Sequence, residues 1–437
     1  MFTKAQRIFE RIADRLKSLD FRTTYTRRPE DFSRQRKVGF VEIIRILLNR
    51  VDRTSDVEVQ RFCDNHLPTV KTYTKQAFSQ ARYKLKSEAF TDLNHVLIEN
   101  FYADSSYRTV ANWIPVAIDG SVLEIPNTPD LRAAYGSASG IARARTSHAY
   151  DVVNRLCLSG ILDHYDTSER DLARRNIAEV REIVPKSHRI LWLEDRGYPS
   201  FPFWMELDAQ DEAYLMRVPS NFYAKEFAAV RRDGLVTITV TPERARQFAE
   251  QGHVVPVGTQ LTLRVIQLTL PTGATEILVT NVSADELPYD IIQEMYHLRW
   301  GVETHFDVVK NRCEIANFSG ILPPASLQEH HATVLLSNMC TLVEAEAQTL
   351  WDAHQAENPD RYKYAAYKIN TSVAFGLWKD QWMAIVLAED PAVREQRFWR
   401  LVELLRRKVT PIRPGRSYPR TKAPAANRYS PKRRRSL

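Results

Sequence analysis

Asp290–Arg312 reads DIIQEMYHLRWGVETHFDVVKNR, and the spacing inside this stretch governs how the rest of the chain is understood. Pro288–Cys313 is predicted as one long helix. Tyr296, Arg299, Glu303 and Lys310 lie on it, separated by three, four and seven residues. At roughly 100° per residue they project near 0°, −60°, −20° and −40°, within one narrow stripe. A single helical face therefore presents a phenol, a guanidinium, a carboxylate and an ammonium, with Glu303 central. Such a stripe can be a salt-bridge ladder, worth roughly a few tenths of a kcal/mol per pair, or a metal ligand with phosphate-binding flanks.

Two more carboxylates bear on that choice. Trp113–Ile118 (WIPVAI) and Ile190–Leu193 are short apolar runs predicted as strands, leading into Asp119-Gly120-Ser121 and Glu194-Asp195-Arg196-Gly197. In α/β sheets, ligands gather where strands end. The order strand–Asp119, strand–Asp195, helix–Glu303, with no His or Cys partner, favours a hard cation such as Mg²⁺. Two such ions would clamp the attacking and leaving oxygens of a phosphodiester.

The 437 residues suggest about three folding units, and 44% apolar content suffices for a sizeable core. No run approaches 18 apolar residues, and the N-terminus interleaves charges with apolar residues, so neither a membrane span nor a secretory signal is expected. Glycine is scarce, with no Gly-Lys dipeptide and no G-x-G-x-x-G, which removes the usual footprints of ATP and NAD. Cys63, Cys157, Cys313 and Cys340 are far apart, consistent with reduced thiols in the cytoplasm and giving no support for structural zinc. Charge is unevenly spread: residues 1–100 hold 20 Lys/Arg against 13 Asp/Glu, residues 101–403 hold 29 against 40, and residues 404–437 hold 12 against none. Basic ends suit a polyanion, and an acidic middle suits divalent cations or a solvated surface.

Residues 1–101 read as helical, opening with a Thr3/Gln6 capping box, then helices over Lys37–Val51 and Asp56–Leu67. With Thr74 as N-cap, Ala77, Phe78, Ala81 and Leu85 share one side of the next helix. Lys75, Ser79, Arg82 and Lys86 line the other, a face suited to a DNA groove or simply to solvent. Strands are expected at Val122–Ile125, Ala149–Leu162 and Ala213–Val218, and a helix from Ser168 towards Ile183. Residues 219–282 are rich in β-branched residues and read as a small β insertion with a turn at Pro271–Ala274. Residues 326–405 read as helical, and the Pro- and Arg-rich tail 406–437 as disordered without a partner.

The pattern Y-(2)-R-(3)-E-(6)-K at Tyr296, Arg299, Glu303 and Lys310 resembles the signature of bacterial insertion-sequence transposases of family four, the Y-R-E-K group of DDE transposases. SRQRKVGF (33–40), TKQAFSQARYKL (74–85), VAIDGS (116–121), SERDLA (168–173) and LWLEDRGYPSF (191–201) are similar to that family too, so the resemblance spans roughly residues 30–320. It implies an α/β protein with a ribonuclease-H-like catalytic core. The layout would be a helical DNA-binding domain (1–101), the first part of the core (102–218), the β insertion (219–282), the glutamate helix completing the core (283–325), a helical region (326–405) and the basic tail (406–437). By resemblance Asp119, Asp195 and Glu303 hold two Mg²⁺ ions, which Mn²⁺ can replace, and Tyr296, Arg299 and Lys310 hold phosphates. Trp300 either stacks on a displaced base or is a core tryptophan. The implied activity is cut-and-paste transposition on double-stranded DNA, through a hairpin at the transposon end, by a homodimer in the nucleoid, with no nucleotide cofactor and no membrane. A non-enzymatic DNA-binding regulator is the rival reading.

Other candidates carry less. His330-His331 beside Glu329 lacks H-E-x-x-H spacing, His297 and His305 flank the glutamate helix stripe, and no Ser or Cys has a nucleophile setting. Deleting 406–437 is expected to weaken binding to every duplex alike and to flatten the dependence of log K on log salt, measured by fluorescence anisotropy across a salt series. A loss confined to one duplex sequence would instead assign base reading to the tail.

Overall fold

Thr3 accepts a hydrogen bond from Gln6 N while its own N–H donates to Gln6 Oε1, and this reciprocal cap starts the first helix. The computed structural model describes residues 3–33, 38–50, 55–67, 72–269 and 273–413. Six helices come first: α1 (Lys4–Lys17), α2 (Leu19–Tyr25), α3 (Phe40–Leu48), α4 (Ser55–His66), α5 (Lys75–Arg82) and α6 (Glu88–Tyr102). Then come β1 (Ile114–Glu124), α7 (Pro129–Tyr135), β2 (Ser137–Ala138), β3 (Ile141–Asp151), β4 (Leu156–His164), α8 (Glu169–Ile183), β5 (Ile190–Glu194), α9 (Phe201–Ala209) and β6 (Ala213–Val218). They are followed by α10 (Ala224–Phe227), β7 (Asp233–Thr239), α11 (Pro242–Glu250), β8 (Gln260–Thr269) and β9 (Thr275–Thr280). The chain continues through α12 (Tyr289–His297), α13 (Trp300–Asn311), α14 (Pro323–Glu357), β10 (Tyr367–Ile369), α15 (Thr371–Val386), α16 (Pro391–Arg406) and β11 (Val409–Pro411).

One mixed sheet of nine strands organises the molecule, in the order β2-β3-β1-β5-β6-β9-β8-β7 with β4 on β3. β1, β5 and β6 run parallel, whereas β3 pairs with β1 and β4, and β9 with β6 and β8, in antiparallel fashion. Along β1, Asp119 and Ser121 point to the face covered by α13, and Gly120 to the face covered by α8. No helix among the described residues is long and apolar enough to cross a membrane.

Several sequence expectations change here. The two strands expected on either side of Asp119 are one: its register with β3 is unbroken from Val116↔Asp151 to Glu124↔Arg143. The strand expected over Ala149–Leu162 is a hairpin, because buried Asp151 accepts Val153 N (3.0 Å) and Asn154 N (2.9 Å) and turns the chain. Segment 219–282 extends the main sheet through β9–β6 pairing and contains two short helices. The single helix expected over 288–313 is two, interrupted at Leu298-Arg299. Both residues keep helical dihedrals, but Arg299 N bonds Tyr296 O (3.0 Å), Gly301 N bonds Leu298 O (2.8 Å) and Val302 N bonds Arg299 O (3.1 Å), a tightened turn. Gly301 packs there against the hairpin turn, where a Cβ would stand 3.0 Å from Val152 Cβ. The turn at Pro271-Thr272, part of the basic loop before α3 (34–37) and tail residues 414–437 lie outside the described residues.

α14, 35 residues long, is buried on several sides and packs on α1, α3, α6, α15, α16 and β4. Polar contacts fix the N-terminal helices to it. Glu329, 3% exposed, accepts from Arg50 Nη1 and Arg82 Nη2, both at 2.8 Å, and from Ser319 N–H and Oγ. Gln328 Nε2 donates to Arg82 O and Leu85 O, each at 2.8 Å, and Asn338 Nδ2 to Asn94 Oδ1 at 2.7 Å. Glu329→Ala would leave the buried Arg82 and the half-buried Arg50 without their carboxylate and is expected to cost about 3–5 kcal/mol, read from the urea midpoint. A loss under 1 kcal/mol would mean water reaches these cations.

Candidate functional site

The parallel register of β1 and β5 pairs Val116 with Trp192 and Ala117 with Leu193, and continuing it two residues brings Asp119 beside Asp195. Asp119 Oδ1 accepts the N–H of Gly120 and Asp195 Oδ1 that of Gly197, both at 2.8 Å. Both acids are half-buried. Burial pushes the Asp119 carboxyl up to about 6; the charges of Asp195 and Glu303 push the same way, against the Gly120 N–H and the Arg299 cation.

Glu303 stands in the first turn of α13, half-buried, with Oε1 2.7 Å from Arg299 Nη2. Arg299 is buried, and its Nε has no hydrogen-bond partner among the described residues. Lys310 reaches back over β1 to Ser121 Oγ and to Val122 O. The stripe read from the sequence thus faces the centre of the sheet. Tyr296 departs from its expected phosphate-facing place: it is buried, with its hydroxyl donating to Glu194 O (3.4 Å), because its ring packs into the core under the end of β5. Trp300 is 44% exposed, so the core reading fails, and the Arg299 guanidinium lies 5.2 Å from its ring.

On α5, Thr74 caps Ala77 N as expected, Lys75 is exposed and Ser79 half-buried. Arg82 and Lys86 do not continue that face. Arg82 is buried on Glu329, and the helix stops at Arg82. Lys86 N–H then bonds Tyr25 O (2.9 Å) and its ammonium Thr24 O (2.8 Å), tying the chain back to α2.

Two buried groups next to the acids escaped the sequence reading. Glu194 is fully buried, neither carboxyl oxygen has a hydrogen-bond partner among the described residues, and burial beside Asp195 pushes it up to about 8. The Tyr198 hydroxyl is likewise buried without a partner. An acid at the last position of an otherwise apolar strand, LWLE, was the available signal.

Beneath α13 lies a buried imidazole cluster. His148 Nδ1 and His305 Nε2 are hydrogen-bonded at 2.9 Å, His330 Nε2 bonds Thr146 Oγ1 at 2.8 Å, and Tyr150 stacks on His305. Burial pushes His305 down to about 3 and His148 well below the ordinary imidazole range, so the pair is neutral and pins α13 to β3. Among the described residues, His148, Cys157 and His305 are the trio whose ligand atoms lie within 4.8 Å of one another. Its nitrogen and sulfur donors do not suit a hard cation. Asp119, Asp195 and Glu303 are not packed to that single-ion spacing.

A mixed sheet with Asp119 on β1, Asp195 just after β5 and Glu303 in the first turn of α13 places the molecule among mixed α/β proteins. Residues 114–339 match the family described as the transposase DDE domain, from the first residue of β1 into α14. More than half of the chain is matched, and the chain belongs to this family of transposases. A comparison with curated proteins gives no match. Among solved structures, the chain is similar to the piggyBac transposase synaptic complex with hairpin DNA determined by cryo-EM, at 10% identity and a TM-score of 0.43, covering 98% of this chain and 87% of that one.

The electrostatics of Asp119 give a stability test. Its carboxyl keeps a proton in the folded state that the unfolded chain releases near 3.8. The stability this contributes is full below pH 3.8 and is lost as pH rises through about 6, at most about 3 kcal/mol. In EDTA, Asp119→Asn is expected to melt above the parent at pH 8 and near it at pH 4. The same shift at both pH values in calorimetry would refute a charge penalty.

Proposed function

We propose that this protein is a DNA transposase of the Y-R-E-K insertion-sequence group, cleaving at transposon ends and transferring the strand into target DNA. The observation that carries the reading is the convergence of Asp119, Asp195 and Glu303, from β1, β5 and α13, inside the segment that matches the transposase domain. The strand order β4-β3-β1-β5-β6, three antiparallel strands and then two parallel ones, supports a ribonuclease-H-like core.

The residues fit a divalent metal pair. All three donors are carboxylates, all reach solvent, and the strain on Asp119 is of the kind a cation relieves. Two ions 3.5–4 Å apart share ligands unequally, so the acids need not crowd to single-ion spacing. Bound Mg²⁺, or Mn²⁺ in its place, would activate the attacking oxygen, a water or a DNA 3′-OH, and stabilise the departing 3′ oxygen.

The chain's own groups do the rest. Arg299 keeps a charge beside Glu303, where it offsets negative charge that builds on a phosphate at the site. Lys310, from α13, adds a cation at Ser121, two residues beyond Asp119 on β1. Tyr296 positions α12 against β5. Trp300, exposed beside Arg299, offers a face on which a base displaced by hairpin formation stacks. Lys75 and Ser79 serve backbone contacts from the N-terminal helices, and synapsis of two ends calls for a homodimer.

The test is Glu303→Gln on a duplex carrying the inverted repeats that flank the coding region. Binding in a mobility-shift assay is expected to persist while Mg²⁺-dependent strand cleavage falls roughly a thousandfold or more. Undiminished cleavage would overturn the assignment of Glu303. Binding without cleavage by the parent protein would favour the regulator.

A further inference from the structure

Glu169 is the first residue of α8, where a helix N-terminus favours an acid and Ser168 caps Asp171 N–H. Asp171 shows the ordinary use of such an acid, bonding Arg174 on its own helix. Glu169 instead leaves its helix. Its Oε1 accepts from Arg145 Nη1 on β3 at 2.8 Å, and its carboxylate passes over two glycines. A Cβ at Gly120 would stand 3.5 Å from Glu169 Oε1. One at Gly197 would stand 3.3 Å from Glu169 Oε2 and 3.2 Å from Asp195 Oδ1, so those two oxygens are no more than 6.5 Å apart. Neither glycine has the positive φ that would demand glycine for backbone reasons. The Cβ that Gly197 lacks would press on both oxygens, so its absence leaves room for the Glu169 carboxylate beside Asp195, whereas at Gly120 the contact would be ordinary.

A second observation points to the same spot. The buried, unpartnered Tyr198 hydroxyl is held well above the ordinary phenol range by burial and then by Asp119, Glu169, Glu194 and Asp195. The charges of four carboxyl groups thus act on one buried hydroxyl, with Arg145 paired to Glu169 and Arg299 to Glu303.

We propose that Glu169 is a fourth carboxylate of the metal site, set on the Asp195 side and oriented by Arg145, where it holds metal-bound water. A spacing of up to 6.5 Å is wider than two oxygens on one Mg²⁺ require, and Mg²⁺ keeps several waters, so contact through water fits. Glu169 is then a positioning residue, and this inference rests on the metal-site reading of Asp119, Asp195 and Glu303.

Titration of the full-length protein with Mn²⁺ alone, read by electron paramagnetic resonance of the free ion, tests it. The parent is expected to bind and Asp119→Asn to lose binding. Glu169→Gln is expected to weaken binding about tenfold, with Glu169→Asp recovering part of the loss and melting in EDTA unchanged. Half-maximal DNA cleavage should need correspondingly more metal. Arg145→Gln, which frees the carboxylate without removing it, is expected to weaken Mn²⁺ binding roughly threefold against the parent, and it serves as the test if Glu169→Gln does not fold. A Glu169→Gln isotherm equal to the parent's, with Asp119→Asn still defective, overturns the role of Glu169 alone. A parent that binds no Mn²⁺ overturns the metal reading and this inference together.

Discussion

Carboxylates repel one another more strongly as water is withdrawn, and the centre of this molecule brings three of them towards one place. Each receives a partial answer from the backbone or a neighbour: Gly120 N–H for Asp119, Gly197 N–H for Asp195, Arg299 for Glu303. Burial, and then the charges of Asp195 and Glu303, outweigh these contacts at Asp119, whose carboxyl is pushed up to about 6. The surrounding architecture keeps the arrangement from relaxing. β1 and β5 are locked side by side in parallel register, and Lys310, His305 and Gly301 hold α13 against β1, β3 and the hairpin turn.

That rigidity needs polar groups in the core, and several of them are paired across long sequence distances. His148 meets His305 and lies near His330, Asn338 spans Asn94 and the Cys157 backbone, and Glu329 gathers two arginines from the N-terminal helices. Satisfied networks of this kind specify one packing, because any slip leaves a buried donor or charge exposed to nothing. Glu194 and the Tyr198 hydroxyl are among the departures from the pattern, and Glu194 is accommodated by keeping its proton.

Local rules were legible in the sequence. The Thr3, Thr74 and Ser168 caps stand where their spacing indicated, and β6 has the bounds its apolar run suggests. The transposase family too was readable, from strand–Asp, strand–Asp, helix–Glu and the four-residue stripe. What was not legible depends on distant partners. Helical projection turns a polar residue outward, yet Arg82 turns inward because Glu329 waits 247 residues away. The Asp119-Gly120-Ser121 run resembles a strand end until nine consecutive pairings with β3 carry the strand through it. The helix break at Leu298-Arg299 has no proline to announce it and follows from the approach of Gly301 to Val152. Glu169 is hidden in the sequence by its plain usefulness at a helix start.

The seam between α14 and the N-terminal helices also bears on modularity. Since Gln328, Glu329 and Asn338 supply hydrogen bonds that Arg82, Leu85 and Asn94 require, residues 1–101 are tied to α14 rather than packed as a detachable unit. Recombination between relatives that exchanged only that segment would inherit orphaned charges. Viable chimeras should therefore carry the matching stretch of α14 along, so that these two distant stretches of sequence drift as a linked pair.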